Sequence, residues 1–279
     1  MTYRIVSDSS SNVFSIQGST EYVTVPFKIL IDDREYIDTP ELDVADMVER
    51  MGLSRNKTGS ACPNIHEWLD AYEGADNIFA ITISSELSGS FSSAKQAADE
   101  YMTENPGTKV HVINSLSTGG EMLLIIEKLK EYIESGLLFE DIRAKVEGYM
   151  KHTHLLFALE SLENLAKNGR VNPAIAKLAG FLGIRFLGVA GSEGVIHQAQ
   201  ICKGTKRTIS AIYNEMIKRG YKGGKVRISH CLNPDAAESL LQKIKSVFEK
   251  ADVSVIPCTG LCSCYAEAGG MIIGFEDIE

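Results

Sequence analysis

The chain reads as a two-domain α/β protein, with an N-terminal three-layer domain built on a parallel sheet and a C-terminal α/β domain. Three observations carry that reading. Short apolar runs alternate with helical patterns through the first half, the pattern changes after His152-Thr153-His154, and strand-helix alternation returns toward the end. A length of 279 residues allows one large domain or two ordinary ones, and the change of pattern divides the chain into residues 1–152 and 153–279.

The elements follow from local pattern. Tyr3 to Val6 and Tyr22 to Ile31 read as strands, Val44 to Met51 and Asn64 to Glu73 as helices, and Ile78 to Ile83 as a buried strand. A helix from Gly89 to Met102 and a strand from Lys109 to Ile113 complete a strand-helix-strand series, which specifies parallel pairing. Helices follow over Gly120 to Ser135 and Phe139 to Lys151. In the first of them Met122, Ile125, Ile126, Leu129 and Ile133 repeat at helical spacing, opposite Glu127, Lys128, Lys130 and Glu131.

Beyond residue 152, Leu155 to Leu159 reads as a strand and Leu162 to Leu165 as a short helix stopped by Gly169. A small-residue helix is expected over Ala174 to Leu182. Ile184 to Val189 and Gly194 to Ile201 suit a hairpin around Ala190-Gly191-Ser192-Glu193. A helix near Thr205 to Lys218, a strand Val226 to Cys231, a helix opened and capped by Asn233-Pro234, and strands Val253 to Pro257 and Met271 to Phe275 complete the chain.

Composition narrows the function. The hydrophobic share is 44% and the charged share 23%, as in ordinary soluble proteins. A net charge of -9 without a lysine-arginine block disfavours nucleic acid and anionic membrane surfaces as partners. No apolar run approaches the ~20 residues of a spanning helix, and Met1 to Val6 reads as a strand rather than a leader, so a cytoplasmic location without membrane insertion is expected. The six cysteines at 62, 202, 231, 258, 262 and 264 lie mostly in apolar stretches. Cys258-x3-Cys262-x-Cys264 lacks the paired hooks of structural zinc sites, so buried thiols are expected and no metal.

Two hydroxyl-rich turns carry the chemistry: Thr58-Gly59-Ser60-Ala61-Cys62-Pro63, and Ser84-Ser85-Glu86-Leu87-Ser88-Gly89-Ser90 directly after the strand at Ile78 to Ile83. Small side chains there let backbone N–H groups and hydroxyls converge on one group, which makes a seat for an anion or carboxylate. The plainer reading is that Ser-Gly turns merely close strand-helix connections. Asp8, Ser60 and Ser88 all follow apolar segments, where ligands of parallel sheets sit. The nucleophile elbow G-x-S-x-G is absent, and Gly224-Lys225 lacks the earlier glycine and the following hydroxyl of a phosphate loop. His152-x-His154 supplies two imidazoles without an obvious third ligand. Asp8 suits either an acid-base role or, more simply, a turn cap.

Together with Ser7-Asp8-Ser9-Ser10, Asn168-Gly169-Arg170-Val171 and the segment from Gly260 to Gly274, these turns resemble the DegV family of bacterial fatty-acid-binding proteins along the whole chain. The resemblance implies one long-chain fatty acid such as palmitate in a buried tunnel between the domains. It also implies no cofactor, no catalysis, and presentation of the carboxyl group to a fatty acid kinase. On that pattern Ser60 and Ser88 donate to the carboxylate, amides around Gly89 and Ser90 assist, and Asp8 organises the crevice. Leu155 to Leu159, Ile175 to Leu182 and the helix after Gly89 are candidate tunnel walls.

Arg170 and Lys203 match positions associated with the partner or with presentation, Lys203 standing where the family has an arginine. The family turn Thr-Ser-Gln-Pro falls on Ser60-Ala61-Cys62-Pro63, with one hydroxyl lost, and a family histidine falls on Ala266. Two other readings stay open. One is a hydrolase or transferase acting on a small carboxylate or phosphorylated substrate through Asp8 and the serine turns; the other is a lipid-responsive regulator.

Overall fold

The structure, a computed structural model, describes residues 2–54, 56, 58–172 and 183–278. The expected helix over Ala174 to Leu182, and with it the wall at Ile175 to Leu182, lies outside the described residues.

Four strands, β1 (Tyr3–Asp8), β2 (Glu21–Val25), β6 (Asn77–Thr82) and β7 (Lys109–Asn114), form an all-parallel sheet in the order β2-β1-β6-β7. Every residue of β6 is buried, which is why it reads as a continuous apolar run rather than an alternation. Helices α2 (Ile65–Tyr72) and α3 (Ser90–Glu104) cover one face through Trp68, Tyr72, Ala94 and Ala97. Helices α4 (Gly120–Glu134) and α5 (Phe139–Tyr149) cover the other, through Met122, Ile126, Phe139 and Ile142. Asn64 opens α2 with a reciprocal box, its side chain accepting from the Glu67 amide while Glu67 accepts from the Asn64 amide.

The expected strand Tyr22 to Ile31 is two strands in two sheets. Pro26 cannot donate a ladder hydrogen bond, and the chain leaves the parallel sheet there. Past it, β3 (Lys28–Ile31), β4 (Arg34–Ile37) and β5 (Gly59–Ala61) make a small antiparallel sheet in the order β4-β3-β5, so the segment carrying Ser60 is a strand and not only a turn. Helix α1 (Val44–Leu53), capped by Asp43, packs Met47, Val48 and Met51 into the same core as this sheet.

The third sheet is mixed, with the order β10-β9-β8-β13-β11-β12: β10 (Ile196–Lys203), β9 (Ile184–Ala190), β8 (Thr153–Leu159), β13 (Met271–Glu276), β11 (Val226–His230) and β12 (Val253–Pro257). Only β11 and β12 pair in parallel. Helices α7 (Thr205–Lys218) and α8 (Pro234–Lys245) cover its outer face through Ile212, Met216, Leu240 and Ile244. Asn233 precedes α8 as expected but makes no side-chain cap; its amide nitrogen donates to the Gly269 carbonyl at 2.7 Å.

Helix α4 is the layer shared by the two large sheets. Its apolar stripe is buried as expected through Leu129, with Ile133 half-buried, yet Leu123, Leu124 and even Glu121 are buried as well, because the second sheet covers the other side. Contact there is backbone on backbone. A Cβ on Gly120 would lie 2.1 Å from the Arg227 carbonyl oxygen, and one on Gly274 would lie 2.1 Å from the Glu121 amide nitrogen. Arg227 of β11 then clamps Glu127 of α4 and Asp252 of the β12 approach, each at 2.8 Å.

Candidate functional site

A cavity of about 150 Å³ opens where the carboxyl ends of the parallel strands meet the inner face of the mixed sheet. Leu155, Phe157 and Leu159 of β8 point into it, while Leu156 and Ala158, one register position away, face the opposite core under α7 and α8. Phe27, Ile83, Leu261, Ile272 and Ile196 complete much of the apolar wall. Helix α3 is not a wall: its buried alanines pack on Trp68 and Tyr72.

The polar lining gathers on several short segments, with Thr118 just before α4 among them. Ser60 comes from β5, Ser88 and Gly89 from the loop after β6, and Arg170 from the turn after α6 (Glu163–Lys167). Tyr265 comes from α9 (Gly260–Ala266), a helix absent from the expected elements. The Ser60 hydroxyl and the Tyr265 phenol are 2.8 Å apart. Burial pushes the Tyr265 phenol up from its ordinary value, against the Ser60 hydrogen bond, so it stays protonated and able to donate.

The Ser88 hydroxyl accepts from the Ser90 amide at 3.2 Å, and among the described residues no acceptor pairs with its O–H. The Arg170 Nε donates to the Leu87 carbonyl at 3.0 Å and another guanidinium nitrogen to the Asn168 carbonyl, with the guanidinium 6.0 Å from the centre of the Tyr265 ring. The fold has thus fixed a cation beside a set of hydroxyls, the combination a partly desolvated carboxylate needs.

Two buried residues that do not touch the cavity hold these segments. Asp38, after β4, accepts from the Gly260 amide at 2.6 Å and the Leu261 amide at 2.9 Å, so one carboxylate satisfies the first turn of α9. Asn164 of α6 accepts from the Thr58 hydroxyl at 2.6 Å and donates to the Cys264 carbonyl at 2.9 Å, joining β5, α6 and α9. Neither stands out in sequence. The signal for α9 was weak because Leu261, Cys262, Ser263, Cys264 and Ala266 are all buried, leaving no polar face to reveal a helical period.

Asp8 and Ser90 do not line the cavity. The Asp8 carboxylate accepts from the Ile83 amide at 2.9 Å, the Ser90 hydroxyl at 2.7 Å, and both the amide and the hydroxyl of Ser10. Burial raises its pKa and these four donors pull it back, with burial prevailing. Its oxygens are engaged in holding the loop that presents Ser88. Lys203 is exposed at the far end of β10, roughly 20 Å along the strand from the cavity-lining Ile196. Ala266, by contrast, does line the cavity.

The thiols are buried, apart from partly exposed Cys62, and all six are free. Burial pushes Cys262 and Cys264 up to about 12, which keeps both as thiols near neutral pH. Among the described residues no group of three side chains is placed to hold a metal. His152 and His154 bond instead to the two oxygens of Asp277, at 2.9 and 3.0 Å. No His, Asp or Glu is among the described residues lining the cavity.

The fold and site define a class: an α/β protein with a largely apolar cavity between its sheets, lined also by hydroxyls and one arginine. The chain belongs to the DegV family. The family description "Uncharacterised protein, DegV family" matches residues 2–276. A DegV domain-containing protein of Streptococcus gordonii is 40% identical over 279 residues, covering 99% of each chain.

Two solved structures agree throughout their length. The Streptococcus pneumoniae fatty acid kinase (Fak) B3 protein loaded with linoleic acid has a TM-score of 0.98 at 39% identity and covers 100% of both chains. A DegV family protein from Eubacterium eligens loaded with heptadecanoic acid has a TM-score of 0.97 at 38% identity, covering 99% of this chain and 100% of its own.

Proposed function

We propose that this chain is a carrier that binds one long-chain fatty acid such as palmitate and presents its carboxyl group to a fatty acid kinase, performing no chemistry itself. The observation that carries the reading is the asymmetry of the cavity: its walls are mostly aliphatic and aromatic, while Ser60, Ser88, Thr118, Tyr265 and Arg170 supply polar groups beside the thiols of Cys62 and Cys262. A chain of about sixteen carbons offers on the order of 10 kcal/mol of apolar transfer before association costs, enough for retention without a covalent bond. The carboxylate would take hydrogen bonds from Ser60, Ser88 and amides near Gly89. The fatty acids in the two solved relatives support the ligand class, and the identity of one as a fatty acid kinase (Fak) B3 protein supports the partner.

In this reading residues 1–152 supply the serine-bearing segments and residues 153–279 close the tunnel. Arg170 serves presentation, and Lys203 would meet only a partner that reaches the outer edge of the mixed sheet. The lack of a base among the described lining residues favours a carrier over a hydrolase. Among the described residues no helix is long and apolar enough to cross a membrane, which suits a carrier working in the cytoplasm.

Extraction and mass spectrometry of gently purified protein should find one fatty acid per chain. A protein that is empty and also fails to bind labelled palmitate would defeat the proposal. Capture of a fatty acid kinase by the loaded protein tests the partner separately.

A further inference from the structure

One cross-strand row of the mixed sheet crosses the cavity wall. Ile272 of β13 stands opposite Phe157 of β8, and Phe157 stands opposite Gly188 of β9, so all three positions project to the same face. Ile272 and Phe157 line the cavity. Gly188 contributes no side chain, and the Phe157 ring occupies the space one would take. A Cβ at 188 would lie 2.2 Å from Phe157 Cε2, 2.4 Å from its Cζ and 2.7 Å from Phe186 Cε1.

The Phe157 ring stacks beside Phe186, with centroids 6.2 Å apart and planes 22° from parallel. Phe186 is itself fully packed, so the Phe157 ring has no room to slide along β9. Displacement from Gly188 would press the ring toward the cavity it lines. The ring is the free end of a side chain, so it can turn without moving either strand.

We propose that Gly188, acting through Phe157, sets the bore of the cavity and so selects the shape of the acyl chain; this rests on the fatty-acid reading above. With glycine at 188 the ring lies back against β9 and leaves lateral room for a chain bent by a cis double bond. A side chain at 188 tips the ring inward and leaves room only for a straight chain. Gly188 makes no contact with the hydroxyls or with Arg170, so its effect is on tail shape rather than on carboxylate affinity.

The test compares oleate with stearate, which share length and head group and differ by one cis double bond, on delipidated protein. Gly188→Ala should lower the ratio of oleate to stearate affinity by about tenfold, the scale of one misplaced methyl group in an apolar pocket. Phe157→Trp adds bulk to the same wall without altering β9. It should shift the ratio in the same direction, and it stays informative if Gly188→Ala does not fold. An unchanged ratio in a folded variant of either kind overturns the inference. Wild-type protein that binds neither acid overturns the fatty-acid reading itself, and this inference with it.

Discussion

Hydroxyl-rich segments of this molecule look alike in sequence and do different work. Ser7 to Ser11 are fully buried, and their hydroxyls are engaged within the protein: Ser7 with the Tyr22 phenol at 2.6 Å, Ser9 with the Phe27 amide at 3.0 Å, Ser10 with Asp8, and Ser11 with Tyr22 at 3.2 Å. Ser60 and Ser88 are only partly buried, line a cavity, and have fewer internal partners. What separates a structural hydroxyl from one left open toward the cavity is whether tertiary neighbours have already claimed it.

Removing the centre of the first segment should cost most. Asp8→Ala strands the Ile83 amide and the Ser90 and Ser10 hydroxyls, and should lower stability by roughly 3 kcal/mol or more in urea titration. If that variant kept its urea midpoint and lost only fatty acid, the contrast between the segments would fail.

Another buried hydroxyl sharpens the contrast because its partner titrates. Glu121 accepts from Ser117, and burial pushes its carboxyl up to about 7 from 4.5, against the pull of that bond and of Thr153. A raised folded-state value means the protonated form is preferred in the fold. The stability it contributes is full below about pH 4.5 and is lost as pH rises toward 7. Glu121→Gln should flatten that slope and leave the variant more stable than wild type at alkaline pH, by on the order of 3 kcal/mol, read from urea midpoints across pH.

Ser60→Ala and Ser88→Ala should each shift stability by under about 1 kcal/mol and weaken palmitate retention about tenfold, the scale of one hydrogen bond to a charged group. Arg170→Ala should weaken retention less, since its guanidinium is already bonded to the Leu87 and Asn168 carbonyls. Equal losses from all three would erase the division between seat and presentation surface. The smallest change belongs to Tyr265→Phe, which removes one partner of Ser60 and should alter retention only a few-fold by the same titration.

Much of this architecture was legible where one segment contained its own explanation. The helix α2, the buried and largely apolar β6 and the hairpin of β9 and β10 follow from residues close in sequence. The pieces that complete the polar site were hidden for a physical reason. β4 and β5 are only 4 and 3 residues long, too short to show a period. α9 is buried on nearly every side, and Tyr265 gains its meaning from Ser60, 205 residues away. The hydroxyl turns were visible because small polar residues cluster in sequence. Which of them face the cavity depends on Asp8 meeting the loop after β6, a contact spanning 75 residues.

The bond from Asp38 to the start of α9 has a mechanical consequence. Ser60 belongs to the small antiparallel sheet, and Asp38 leaves that same sheet through the bond from its amide to the Phe27 carbonyl at 2.9 Å. Both members of the Ser60–Tyr265 pair are therefore tied to the small sheet, and the start of α9 is tied as well to the turn after β1 through the Thr259 amide and Asn12. Any shift of the small sheet therefore carries Ser60 and Tyr265 together and preserves the spacing between them.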